Sequence, residues 1–464
     1  MNRAQVGVGL AALSLSCAGG GAKKDPFGVA TFADSSGGDD DAQSSLTTSD
    51  GGATPETSAS EGDADTTSGD ADSSSGGIPD DPPDLSDGQW QFENVSTTPG
   101  ISLHGRRAML DDGREIVAWA QADPQQISTL NIMAAQGPDG WTIANITAIS
   151  GAQNTFPSLA GGNRALLAWA GQGSSGDDYD IYLVRSQGNA WSPPENLSDM
   201  FEDNAKPLTD TKPVILRRTD GGVAIVYMAT TPAGKFEPPG TPEIFVTKFF
   251  EDNSPSQRSP LSPSGASCSA LAGATAPSGV FHVVLACVDD GSSVLIHATD
   301  RSGEWDTDEL NGVTSGVLSP SMAAGIDGSH IVWIQNVPCG AENCSEVFHM
   351  ATDSEEVFGT PVQITNTANR NERQPAVGVD PWGRVFVASQ ARIDSTARLY
   401  LSVADDGEVF GDPERVSPDS VDDYQTPTGF AFDAAGNPSF ITEVVVDGSD
   451  PLNIEIYVAR FVPN

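Results

Sequence analysis

The residues of this 464-residue chain that could do chemistry are few and scattered. Cys268 and Cys287 lie almost equidistant from a turn near Ser278, which sets them opposite one another on two antiparallel strands as a disulfide. Cys339 and Cys344 bracket Gly-Ala-Glu-Asn, and a bond between them would pin a loop. The competing reading of that pair, a metal site, lacks a second close Cys or His pair. Asp177, Asp178 and Asp180 offer hard oxygen donors of the kind calcium prefers, while a solvated loop closed by an aspartate uses the same residues. No other cofactor is expected. His104 with Arg106 or Arg107, and Arg370 and Arg373 with Lys206, supply positive charge that could receive a carboxylate or sulfate, or simply neutralise neighbouring acids. His282, His297, His330 and His349 fall at matching places in successive repeats and are expected to be packing residues rather than ligands. No nucleophile stands with a convergent base, so no catalytic residue is assigned.

Composition narrows the partners. With 23 basic against 64 acidic residues the formal charge is -41, which excludes nucleic acid, whose binding rests on clustered Lys and Arg. Part of the acidity is local: Asp34 to Asp87 holds 15 acidic residues and no Lys or Arg. Residues 18–88 are Ser, Thr, Gly, Asp and Ala with almost no large apolar side chain, so they cannot bury enough surface to offset the entropy of ordering. They form a disordered acidic linker, and roughly 70 such residues reach on the order of 50 Å as a random coil. Residues 1–17, MNRAQVGVGLAALSLSC, carry Arg3, an apolar run from Val6 to Leu15 and a small Ser16, an export signal too short to span a bilayer.

The elements that must position the candidate residues are announced by a repeat. A strand-like segment recurs about every 50 to 60 residues: YDIYLVRS around Tyr182, PEIFVTKF around Phe245, SVLIHATD around Ile296, SEVFHMAT around Phe348, ARLYLSVA around Tyr400 and IEIYVARF around Tyr457. A weaker copy, TLNIMAAQ around Ile132, precedes them. Each unit opens with a strand such as FPSLAG at Phe156, SPSMAAG at Ser319, QPAVGVD at Gln374 or TPTGFAFD at Thr426. A tight turn follows, bearing Gly113, Gly162, Gly222, Gly279, Gly328, Gly383 or Gly436, and then a continuously apolar strand such as EIVAWA, ALLAWA or HIVWIQ. A fourth strand is marked by an aromatic and an aliphatic: Trp141 with Ile146, Trp191 with Leu197, Trp305 with Leu310, Phe358 with Ile364, Phe410 with Val416; the third repeat departs. The last repeat has no such strand, and Trp90 with Val95 in QWQFENVS supplies it from the other end. Residues 89–464 are therefore expected to be all-β, a seven-bladed β-propeller closed by its N-terminal strand, with six blades as the alternative.

The DIYLVR-type third strand and the Pro-x-apolar opening resemble those of sialidase-like bacterial propellers. That family's Asp-box is not recognisable here, and no arginine triad with a Tyr and Glu pair can be carried over, so the resemblance implies architecture alone. The end of the signal resembles that of bacterial lipoproteins, with Cys17 as the lipidated residue, although Ser14 stands where those signals prefer leucine; an ordinary cleaved signal is the alternative. The implied location is the outer membrane or cell surface by a lipid anchor, alternatively secreted or periplasmic. The expected function is a monomeric, surface-tethered, non-catalytic module presenting a propeller face to a protein or glycan. The alternative is an extracellular carbohydrate-active hydrolase or lyase of sialidase-like fold.

Overall fold

The computed structural model describes residues 81–464 apart from 98–99, 124–125, 138–139, 148–152, 173–177, 201–207, 231–239, 251–257, 314–315, 340–341, 354–356, 367–371, 394–395, 420–422 and 447–452. Seven small antiparallel sheets are arranged as the blades of a propeller, the first six built in chain order from inner to outer strand. The inner strands are Ser102–Met109, Asn154–Ala160, Thr209–Arg217, Ser267–Thr275, Leu318–Gly325, Glu372–Val379 and Asp423–Phe432. Each touches the inner strand of the next blade, and the seventh touches the first, so the ring is complete. Seven blades, not six, account for the chain.

Closure is made by the segment Gly88–Asn94, which pairs antiparallel with the last strand, Ile454–Pro463, setting Trp90 opposite Phe461 and Asn94 opposite Tyr457. Trp90 also packs its ring 5.3 Å from that of Phe440. Pairing the chain's two ends removes the open edges that would template association. The packed chain starts somewhat before this strand: Arg384 Nη1 donates to the Pro83 carbonyl at 2.9 Å, and Leu85 packs with Trp90 and Phe92.

The second strands read as apolar runs because neighbouring blades cover both of their faces. Trp119, Trp169, Tyr227 and Trp333 hold equivalent places and are fully buried. Indole N–H groups at such depth need acceptors, and Trp119, Trp169 and Trp333 donate to Gln121, Asn154 and Gln335. At the outer strand the aliphatic marker donates its backbone N–H to the third strand, as Ile146 does to the Ile132 carbonyl and Leu197 to that of Ile181. A Ser or Thr follows it in six blades. The hydroxyls of Ser96, Thr147, Ser198, Ser262, Thr365 and Ser417 each accept the N–H of that same third-strand residue. Blade 3, which lacks the aromatic, keeps the pattern through Leu261 and Ser262.

Two local expectations change. The turn glycine of blade 3 is Gly221, with φ of 85°, while Gly222 begins the second strand. The segment around Cys339 and Cys344, expected as a loop, extends the blade 5 hairpin, with strands Gly328–Cys339 and Glu342–Ala351 paired to the end. The Cys268–Cys287 disulfide forms across directly paired positions of blade 4. Cys344 is disulfide-bonded as well; the side chain of Cys339 lies outside the described residues.

Candidate functional site at the channel mouth

Every inner strand slips register, the mark of a β-bulge: between Leu103 and Arg106, Thr155 and Ser158, Thr211 and Val214, Cys268 and Ala270, Leu318 and Ser321, Arg373 and Ala376, and Gln425 and Thr428, with a second slip in the last strand between Thr428 and Ala431. Proline lies at five of the seven, where its missing N–H leaves a gap in the ladder. Phe156, Lys212, Ser319, Gln374 and Thr426 each precede a proline, and each has positive φ, from 38° to 51°. His104 does the same with φ of 59° before Gly105. A left-handed non-glycine residue stores strain, and such residues gather at functional sites.

These bulges form a ring around the channel near the face where the chain enters each inner strand. Neighbours in the ring touch blade to blade. The His104 and Phe156 rings lie 4.5 Å apart, and Lys212 Nζ stands 5.9 Å from the Phe156 ring while donating to the Ser269 carbonyl at 2.9 Å. Further round, the Thr426 hydroxyl donates to Gln374 Oε1 at 2.7 Å. Below the ring a cavity of about 320 Å³ runs between all seven inner strands, lined by Arg106, Ser319, Gln374 and Thr426 among others.

Gly105 lets one charged group join the ring from behind. A Cβ there would lie 2.6 Å from Ile441 Cγ2, so only glycine allows blade 1 to approach blade 7 this closely. The approach brings the His104 backbone N–H onto Glu443 Oε1 at 2.7 Å. Glu443 is buried, and loss of water pushes its carboxyl up to about 7 against the pull of the His104 N–H and of Arg106. Burial, with Arg106 and Lys212 nearby, pushes the His104 imidazole down to about 4, so it is neutral at pH 7. Burial also lowers Lys212 and Arg106, the latter opposed by Glu443. The mouth thus gathers a neutral imidazole, a carboxyl poised to hold or release a proton, and two cations.

Of the residues singled out from sequence, His104 and Arg106 belong to this cluster, and Arg373 sits beside ring residue Gln374, exposed. Arg107 points toward the opposite end and pairs with Glu115 at 2.5 Å. Asp178 accepts at 3.3 Å from Thr209, three residues before Lys212 on the same inner strand, and Asp180 accepts from Asn196 at 3.0 Å. Asp177, Lys206, Arg370 and Cys17 fall outside the described residues. No group of three or more His, Cys, Asp or Glu side chains among the described residues is disposed to hold a metal ion. The repeated histidines do pack, as two buried cross-strand pairs with His282 Nδ1 3.0 Å from His297 Nε2 and His330 Nδ1 3.0 Å from His349 Nε2. Lys212 and Glu443 escaped the sequence reading. The signal for Lys212 was its place before Pro213, as Phe156 stands before Pro157; for Glu443 there was none, because a contact with His104 across 339 residues leaves no local trace.

No protein-family model and no curated protein matches the chain. Solved structures do. The polysaccharide lyase Uly1 superposes with a TM-score of 0.51 at 11% identity, over 81% of this chain and 92% of that one. An ulvan lyase of the PL25 polysaccharide lyase family gives 0.46 at 12% identity, over 68% and 81%. The NanB sialidase of Streptococcus pneumoniae gives 0.44 at 12% identity, over 81% and 70%. At such identities the likeness is one of fold, a propeller with neighbours of sialidase- and glycosidase-like architecture.

Proposed function

We propose that this protein is a carbohydrate-active enzyme that cleaves an anionic polysaccharide at the channel mouth, by elimination rather than hydrolysis. The observation that carries the reading is the convergence of neutral His104, protonatable Glu443, Arg106 and Lys212 on one ring of strained backbone. The fold shared with a polysaccharide lyase supports it, and supports the enzyme over the non-catalytic module.

The chemistry follows from the charges. Arg106 and Lys212 neutralise a sugar carboxylate, which makes the adjacent C–H more acidic. His104 has free ring nitrogens among the described residues and takes that proton as base. The electron pair forms the C=C bond, the glycosidic C–O bond breaks, and Glu443 protonates the departing oxygen. Hydrolysis would call for two carboxylates facing each other across the bond; Asp210, the other carboxyl that burial raises to about 7, is engaged by the Ser198 hydroxyl at 2.7 Å and by Arg258 at 3.9 Å.

The test is turnover of uronate-containing polysaccharides, followed by the ultraviolet absorbance of the unsaturated product. With His104 active when neutral and Glu443 active when protonated, kcat/KM is expected to be bell-shaped, with limbs near about 4 and about 7. Tight glycan binding without any unsaturated product would return the protein to the binding-module reading.

A further inference from the structure

Blade 4 breaks the rule that builds the ring. In six blades a left-handed residue is followed by Pro or Gly, but here the sequence is Cys268-Ser269-Ala270, and Ser269 has no positive φ. The ladder still slips between Cys268 and Ala270. What this blade has instead is the Cys268–Cys287 disulfide, which ties the inner strand to the second strand at the residue just before the bulge. The Ser269 carbonyl is the acceptor for Lys212. Ser269 is otherwise exposed, its hydroxyl reaching only the Ala286 carbonyl at 3.5 Å.

We propose that the Cys268–Cys287 disulfide is a positioning device for the channel mouth: by fixing the Ser269 carbonyl it holds the Lys212 ammonium beside Phe156 and His104, where an anion is received. An ammonium on a flexible four-carbon stem loses rotamer freedom when fixed, and one hydrogen bond to a drifting carbonyl does not hold it. A proline does this work in the neighbouring blades by stiffening the bulge; in blade 4 a covalent link to the adjacent strand does. The role rests on the reading of the mouth as the site, but its test needs no turnover.

The groups facing His104 are Arg106, Lys212 and Glu443, and the positive charge of Lys212 is one of the causes that lower its titration. The experiment is a double-mutant cycle in the full chain, Cys268→Ala/Cys287→Ala with and without Lys212→Gln, read by the NMR titration of His104 and by affinity for inorganic sulfate. Lys212→Gln is expected to raise the His104 midpoint, and the cysteine replacement to raise it less. In the Lys212→Gln background the cysteine replacement should add nothing. Sulfate affinity should fall about threefold or more in each variant, without additivity. An unmoved His104 and unchanged affinity in the cysteine variant, or effects that sum, overturn the proposal. A disulfide that merely stabilises blade 4 would lower the melting temperature and leave His104 where it is.

Should the cysteine variant fail to fold, the native protein provides the second measurement. Linkage requires that sulfate at the mouth shift the equilibrium of the disulfide with a dithiothreitol redox buffer toward the oxidised form, and that Lys212→Gln abolish the shift. Sulfate-independent reduction of the native protein overturns the proposal equally. A protein that passes these tests but cleaves no polysaccharide refutes the enzyme reading and leaves this one standing.

Discussion

The two ends of the channel treat their charges in opposite ways. At the end bearing the hairpin turns, Arg107 and Arg460 converge on Glu115, Arg384 meets Asp380 at 2.6 Å, and Arg218 and Lys248 share Asp300. Arg217 there donates to the Gly161 and Arg164 carbonyls at 2.5 and 2.9 Å. These ions are matched with counterions or carbonyls, within one hairpin for Arg107–Glu115 and Arg384–Asp380 and across neighbouring blades for Arg460, Arg218, Lys248 and Arg217. At the mouth, Glu443, His104 and Lys212 are all held away from their ordinary titration ranges by burial. Burial alone does not set the ends apart, since Arg107 at the turn end is itself lowered to about 10 by burial, with Glu115 opposing the shift. On the proposed function the turn end is structural and the mouth chemical, although every blade has the same backbone plan at both.

Variants can break this contrast, the largest effect coming from the structural end. Glu115 is buried against two guanidinium groups, so Glu115→Ala leaves uncompensated charge and should cost about 3–5 kcal/mol in urea denaturation. Activity per folded molecule should be unchanged; a selective loss of activity would erase the distinction between the ends. At the chemical end the expectation reverses. His104→Gln and Glu443→Gln should each lower turnover about 100-fold or more while the denaturation midpoint stays near that of the parent.

The histidine pairs sharpen the comparison, because they too are buried and shifted yet lie away from the mouth. Burial and the neighbouring ring push His297 and His349 down to about 3, and burial, opposed by Asp327, pushes His330 down to about 4, so all three are neutral in the folded protein near pH 7. The unfolded chain takes up protons below about 6.5 while the folded one does not, so stability declines as pH falls from about 6.5 toward about 3. Glu443 and Asp210, held up to about 7, act with the opposite sign, favouring the folded state most at low pH. The test is therefore the difference between the parent and a His297→Gln/His349→Gln variant, whose stability should fall less steeply with acid. The smallest effect is expected of Thr365→Ala. It removes the hydroxyl that accepts the Val347 N–H at 2.9 Å and donates to buried Glu346, at a cost of about 1–2 kcal/mol.

The architecture was legible in the sequence where packing is periodic. Alternating third strands, apolar second strands and the outer aromatic-aliphatic pairs repeat because each blade buries the same faces against the next, and Trp90 betrayed the closing strand by obeying the same rule. Half of the mouth was legible for a different reason: His104 and Arg106 stand out as positive residues at the start of a blade in an acidic chain. Lys212 and Glu443 were not legible. Lysine is commonplace on a strand, and nothing local distinguishes Glu443 from the many acids of the chain.

Residue pattern alone pointed to seven sheet units with six as the alternative, to a strand from the front to seal them, and to a cross-strand disulfide in blade 4, because each follows from spacing within a repeat. Only the closed ring decided which side chains meet. It carried Glu443 to His104 and Lys212 to Ser269, and it buried the mouth enough to shift their protons, since desolvation depends on neighbours from other blades that no local stretch of sequence contains.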